Sequence, residues 1–229
     1  MLFRSPSFDH PQVVAQANAH ELPAYGLKAG LTNYAASYCV GLLVARRLLT
    51  KFGMADTYKG EDASGEDYHV EEEEGAPRPF YCVLDTGLKR TSTGSKLFAV
   101  MKGALDGGLD IPHSESRYVG YDAESKELDT DTLAKYIFGG HVAEYMESLK
   151  SENPTAYKAK FSQYIKAGIE SDKYEFVLKK VHAAIRAKPE KAPRKTPARP
   201  AKKTTWKEVK ATYEQRKAAL KAKLLALTE

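Results

Sequence analysis

Between Leu31 and Phe52 the chain carries a stretch whose middle, Ala35-Ala36-Ser37-Tyr38-Cys39-Val40-Gly41-Leu42-Leu43-Val44-Ala45, is apolar on every side of a helix. A surface helix needs only one apolar stripe. A helix that is apolar all round has to be enclosed. Whatever fold this chain adopts must therefore wrap other elements around this segment. Thr32 or Asn33 is placed to cap its start and Gly53 to close its end. Ala35, Ala36, Ser37 and Gly41 let a neighbour approach closely. Arg46, Arg47 and Lys51 place cations at the C-terminal end, where the helix dipole favours them.

The segments around this helix read as an α/β unit. Gln12–Ala19 is a short strand, followed by a turn at Leu22–Gly26. Phe80–Asp85 (FYCVLD) is a nearly continuous apolar run, the pattern of a strand buried on both faces. Thr86–Lys96 is a loop of glycines, hydroxyls and cations, and a helix from Leu97 to Asp106 follows it and ends at Gly107-Gly108. Asp56–Glu74 holds nine acidic residues against Lys59 alone, without calcium-loop spacing, and reads as a solvated loop.

The second half reads as helical. Thr132–Phe138 breaks at Gly139-Gly140, and Val142, Tyr145, Met146 and Leu149 stripe the next helix. Asn153-Pro154 starts another, carrying Tyr157, Phe161, Tyr164 and Ile165. Ser171 caps a last one with Phe176, Val177, Val181 and Ile185. Ala187–Lys203 is a Pro/Lys/Arg linker. A terminal helix from about Thr205 to Leu227 follows, striped by Trp206, Val209, Tyr213, Leu220, Leu224 and Leu227. Charge divides along the same line. Residues 186–229 hold 14 Lys and Arg against 4 Asp and Glu, net +10, whereas residues 1–185 hold 21 against 26, net −5. An acidic-leaning body with a basic arm suits a polyanionic partner. The expected domains are 12–125 (α/β core), 126–187 (helical region) and 188–229 (basic arm).

Several classes fall away. Two cysteines, Cys39 and Cys82, cannot build a disulfide scaffold and read as buried free thiols. No apolar run is long enough to span a bilayer, and Met1–Pro6 lacks a signal peptide's apolar stretch. The 86–96 loop lacks both Walker A and GxGxxG spacing, so it is either an ordinary strand–helix turn or a phosphate contact. The six histidines are scattered without metal-ligand spacing, and no metal or cofactor is expected. Asp85 either caps the turn after its strand or serves a phosphate-handling α/β enzyme that uses the 86–96 loop. A helical adaptor using the Trp206–Leu227 stripe is a third option.

Longer blocks discriminate between these options. His20–Ala36 (HELPAYGLKAGLTNYAA), Gly41–Leu49, Leu84–Leu88, Arg90–Gly94, Lys102–Leu109, Ile111–Ser114, Phe161–Lys166 and His182–Arg186 closely resemble, in order, the eukaryotic members of the universal L-eighteen family of ribosomal proteins. The resemblance spans Val13 to Pro189, and from Lys191 onward it holds in character more than in letters. It implies a structural RNA-binding protein, not an enzyme. The fold it implies is a three-layer α/β sandwich of the L-eighteen type. The implied partners are 5S rRNA, large-subunit rRNA, neighbouring large-subunit proteins including the eukaryotic L eleven, and ribosome assembly factors, with no membrane. The implied location is the cytoplasmic ribosome after a nuclear or nucleolar assembly stage.

Under that resemblance Lys28, Thr32, Asn33 and Tyr34 at the start of the first helix are expected to meet RNA. So are Lys89, Arg90, Thr91, Thr93, Gly94 and Lys96 in the glycine loop, and His113, Ser114, Arg117 and Tyr118 beyond the second helix. Arg194, Lys195, Arg199, Lys202 and Lys203 in the arm are expected to track further rRNA. The family's long basic N-terminal segment and first sheet strands have no counterpart in Met1–Pro11. The expected sheet is therefore incomplete, with an open edge.

Overall fold

The structure is a computed structural model and describes residues 2–5, 12–191 and 209–228. Its centre is α1 (Tyr34–Phe52), whose residues from Val40 to Arg46 are all buried. Asn33 caps it, its Oδ1 accepting from the Ala36 amide at 2.7 Å, and Gly53 closes it at φ 70°. Ahead of it, β1 (Leu2–Ser5) pairs antiparallel with β2 (Gln12–Gln16), Leu2 opposite Gln16 and Ser5 opposite Gln12, with a bulge at Phe3/Arg4. A strand at Leu2–Ser5 corrects the expectation that Met1–Pro11 supplies none, and the second strand is shorter than expected. Asn18 turns the chain into a 3-10 helix over Ala19–Tyr25 by accepting from the His20 amide at 3.2 Å.

α2 (Lys96–Asp106) runs alongside α1 in the same direction. Lys96 reaches Thr32 at one end, and Ala45 faces Gly107 at the other. The two backbones touch where each helix has a glycine. A Cβ on Gly41 would lie 2.0 Å from the Val100 carbonyl oxygen, and one on Gly103 would lie 2.1 Å from that of Tyr38. Beneath this crossing Lys102 and Asp106 form a fully buried pair at 2.6 Å, and the Tyr38 hydroxyl donates to the same carboxylate at 2.6 Å.

The cations at the end of α1 serve as clamps rather than as dipole charges alone. Arg46, itself buried, donates to the carbonyls of Tyr58 (2.7 Å) and Ala55 (2.7 Å). Arg47 donates to Gln16 O (2.5 Å) and Pro189 O (2.9 Å), and Lys51 to Val14 O (2.9 Å). These bonds correct the expectation of a solvated loop at Asp56–Glu74. Tyr58 and Gly65 are buried, Lys102 donates to Glu66 O, and Arg186 donates to the carbonyls of Lys59 (2.8 Å) and Glu61. The loop is held by its carbonyls while carboxylates such as Glu71–Glu74 face water.

Phe80–Asp85 is the second correction. It is not an internal strand. It touches a neighbour at one parallel bridge, Tyr81 to Asp110, supported by Cys82 N–H donating to Asp110 O at 2.9 Å. Cys82 and Leu84 turn inward, whereas Tyr81 and Val83 remain 61% and 69% exposed. A run that is apolar on both faces needs a layer on each side, and no described strand covers its outer face. The architecture is mixed α/β with helices dominating.

The remaining helices are α3 (Thr130–Ile137), α4 (Gly140–Glu152), α5 (Pro154–Lys160), α6 (Ser162–Ala167) and α7 (Ser171–Ala187). The single helix expected after Asn153 breaks at Phe161, whose buried ring packs against Tyr145, Tyr157 and Tyr164. Glu170, not Ser171, occupies the cap position of α7. The face of α7 that packs inward is Tyr174, Leu178, Val181 and Ile185. Phe176 points outward with the Lys180 ammonium 4.2 Å above its ring. Residues 174, 178, 181 and 185 repeat at 3–4 spacing, and position 176 lies roughly opposite 174 around the helix.

Residues 193–229 form a separate unit. Its helix α8 (Tyr213–Thr228) starts eight residues later than expected. Thr212 and Gln215 form a capping box there, the Thr212 amide donating to Gln215 Oε1 at 3.0 Å and the Gln215 amide to Thr212 Oγ1 at 3.4 Å. Trp206 lies outside the described residues. Val209, Tyr213, Leu220 and Leu227 are exposed.

Candidate nucleic-acid interface

Three segments separate in sequence meet at the N-terminal ends of α1 and α2. Lys96 Nζ donates to Thr32 O at 2.9 Å, tying the start of α2 to the start of α1. The Gly94 amide donates to Arg117 O at 3.0 Å, and Thr93 Oγ1 to Ser116 O at 3.3 Å, which docks the glycine loop onto the 3-10 turn Glu115–Arg117. Gly94 sits at φ 75°, in the left-handed region that spares glycine the Cβ penalty. These bonds bring the start of α1, the end of the glycine loop and the 115–117 turn together.

Its chemistry is cationic and hydroxyl-rich. Lys28, Lys89, Arg90 and Arg117 are exposed, and none pairs with a carboxylate among the described residues. Thr32, Thr91 and Thr93 are exposed beside them. Both helix dipoles point their positive ends here. Ser95 makes no side-chain cap at the start of α2, where the Phe98 amide donates to the Ser95 carbonyl at 2.9 Å, whereas the Asn33 side chain already caps the start of α1. Glu115 lies half-buried in the same turn, and Ser114, exposed, holds that turn through the Ser116 amide at 3.4 Å.

Other expected contacts lie inside. Asn33 spends its oxygen on the cap and its amide on the Tyr174 hydroxyl at 2.6 Å. Tyr34 is buried edge-on against Tyr136, and burial raises its hydroxyl pKa. Tyr118 is fully buried. His113, with a side chain 1% exposed, is held by Ile111 O at 2.6 Å and Asp67 Oδ1 at 2.8 Å. The three rings and the Asn33 amide position the surface rather than face it.

Asp85 accepts from the Gly87 amide at 2.9 Å, the Asx-turn alternative for that residue. Burial pushes the thiols of Cys39 and Cys82 up to about 12, as suits inert sulfhydryls. Sequence reasoning missed Asp67 and His69, which join His113 so that one ligand atom from each lies within 4.8 Å of the others. The Asp-x-His spacing was the available signal. Arg194, Lys195, Arg199, Lys202 and Lys203 lie outside the described residues. No helix among the described residues is long and apolar enough to cross a membrane.

A family model described as ribosomal large subunit proteins 60S L5 and 50S L18 matches residues 4–114, and one described as the ribosomal L18 C-terminal region matches residues 175–229. Large ribosomal subunit protein uL18 of Dunaliella salina is 62% identical over 195 residues, covering 85% of this chain and 71% of that protein. The protein of the same name from Suberites domuncula is 52% identical over 216 residues, covering 94% and 73%. That of Caenorhabditis elegans is 53% identical over 221 residues, covering 95% and 74%.

Proposed function

Because this chain belongs to the large ribosomal subunit protein uL18 family, we propose that the joint N-terminal end of α1 and α2 is its 5S rRNA-binding surface. The chain is a structural constituent of the large ribosomal subunit and not an enzyme, and its place is the cytoplasmic ribosome. The observation that carries the reading is that hydrogen bonds join the starts of α1 and α2 to the glycine loop and the 115–117 turn, segments that carry or adjoin the exposed cations Lys28, Lys89, Arg90 and Arg117, none with a carboxylate partner among the described residues.

In this reading the backbone of a folded RNA lies across the 86–94 loop. Lys89 and Arg90 meet phosphates, Arg117 and Lys28 extend the track on either side, and Thr91 and Thr93 reach 2′-hydroxyls. Lys96 acts indirectly, because its ammonium holds the loop to Thr32. Residues 12–125 form the RNA-binding core and 126–187 a helical region. Residues 188–229 form a basic arm that follows further rRNA through Arg194, Lys195, Arg199, Lys202 and Lys203. The sheet layer of a three-layer sandwich of the L-eighteen type is completed beside Tyr81 and Val83, whose exposure marks the edge awaiting it. Partnership with the eukaryotic L eleven, passage through the nucleus with assembly factors and docking in the central protuberance follow from the family resemblance.

The test is a filter-binding titration of 5S rRNA by the full chain across a salt series. Lys89→Ala with Arg90→Ala should weaken binding and make the slope of log K against log salt shallower by about 1 to 2. An unchanged affinity and slope would remove the loop from the interface.

A further inference from the structure

We propose that Asp67, His69 and His113 bind one borderline transition-metal cation of the Zn2+ class, joining the acidic loop to the segment that follows α2. Among the described residues they are the one group of three His, Cys, Asp or Glu side chains whose ligand atoms all lie within 4.8 Å of one another.

The tautomer of His113 argues for a cation. Its Nδ1 lies 2.6 Å from Ile111 O, a carbonyl that can only accept, so Nδ1 carries the hydrogen. Nε2 of the neutral ring then presents a lone pair. It lies 2.8 Å from Asp67 Oδ1, which also presents only lone pairs. Two acceptors at that distance repel unless positive charge stands between them, as a proton or as a metal ion. An imidazole whose far nitrogen donates to a backbone carbonyl has the orientation that metal-bound histidines take.

The other two side chains complete a donor set around the same point. Asp67 turns its second oxygen toward His69 Nε2 at 3.1 Å. The His69 ring stacks on that of His113 with centroids 4.7 Å apart. One carboxylate thus faces two imidazole nitrogens, a donor set of two nitrogens and one oxygen gathered around one point. An ion about 2.1 Å from each donor would hold them roughly 3.4 Å apart. That spacing asks the His113–Asp67 contact to open by only about 0.6 Å. Two imidazoles and one carboxylate select a Zn2+-like ion over Mg2+ or Ca2+, which take oxygen ligands. The His69 side chain is 64% exposed, which provides an entry path and leaves a coordination position to water.

The experiment is calorimetric titration of the metal-free full chain with Zn2+, together with Co2+ titration followed by its visible absorption. The expected result is one equivalent bound, with a Co2+ band indicating nitrogen and oxygen donors. His69→Ala and Asp67→Asn should each weaken binding roughly tenfold or more while leaving the far-UV circular dichroism of the metal-free chain unchanged. His69 is exposed, so its removal does not threaten folding, and Asp67→Asn keeps the side-chain shape. Absence of saturable one-to-one binding overturns the proposal. So does binding that keeps its affinity in both variants, or a Co2+ spectrum of thiolate ligation, which would place the ion at a cysteine.

Discussion

Gly103→Ala tests the contact on which the proposed RNA-binding surface depends. A Cβ at this position would lie 2.1 Å from the Tyr38 carbonyl oxygen and 3.0 Å from the Leu42 amide nitrogen. Ordinary non-bonded contact is about 3.5 Å, so α1 and α2 would have to separate by roughly 1.4 Å. Both obstructing atoms are backbone inside a buried helix, so no flexible side chain can yield in their place. Overpacking of this kind costs about 1–3 kcal/mol, and the rigidity of the obstacle puts this site at the upper end. Alanine recovers about 1 kcal/mol of helix propensity. The net expectation is destabilisation by about 2 kcal/mol, which for a domain of this size lowers Tm by roughly 4–8 °C. Urea unfolding followed by circular dichroism measures the first quantity and a thermal scan the second. Gly41→Ala opens the same gap from the other side, where its Cβ would meet the Val100 carbonyl oxygen at 2.0 Å. The double variant should therefore cost less than the sum of the singles, because one separation relieves both clashes. Separating the helices also moves apart the two N-termini that carry Thr32 and Lys96, so affinity for 5S rRNA should fall with stability. A neutral or stabilising Gly103→Ala would show that propensity outweighs contact and would refute the close-approach argument.

Burial first, then the Arg186 charge, depress the buried His182 imidazole to about 4 from its ordinary 6.5. A depressed folded-state value means the contribution is present above pH 6.5 and is lost as pH falls toward 4, by roughly 3 kcal/mol at most. Urea unfolding at pH 7 and pH 4.5 should show that loss, and His182→Phe should flatten it. On α7, Leu178→Ala should destabilise by about 2–4 kcal/mol. Phe176→Ala, on the solvent side, should stay within about 0.5 kcal/mol, and paired denaturation curves distinguish the faces. Lys102→Met leaves the Asp106 carboxylate buried without its cation. It should cost about 3–5 kcal/mol at pH 7, measured by the same unfolding assay. In a peptide spanning residues 209–228, Thr212→Ala should lower helicity by circular dichroism, because the capping box loses a hydroxyl worth about 1 kcal/mol.

The positions expected to meet RNA separate by burial. Lys28, Lys89, Arg90 and Arg117 face water as read, whereas Tyr34, His113 and Tyr118 lie within the protein. Aromatic and imidazole rings suit a stacking surface and a core equally well, so their identity alone does not choose between them. The Asp67, His69 and His113 constellation was hidden for a different reason. Its third member follows the second by more than forty residues, and no local spacing relates them.

Sequence alone determined α1. A segment apolar on every face, with Asn33 before it and Gly53 after it, has one stable outcome, and its termini are set by bonds to residues one turn away. The turn at Asp85, the αL closures and the Asn153–Pro154 start are local in the same sense. Tertiary structure decided the rest. Phe80–Asp85 has the composition of an internal strand yet stands at an edge, because a strand's neighbours come from distant parts of the chain and here one flank has none among the described residues. The acidic loop packs down because backbone carbonyls, which every sequence carries, met Arg46, Lys102 and Arg186. Helix caps and periodicities are short-range and can be read in order. Which carbonyl, edge or imidazole meets which partner depends on chain closure over tens of residues, and that is settled only when α1 and α2 have packed.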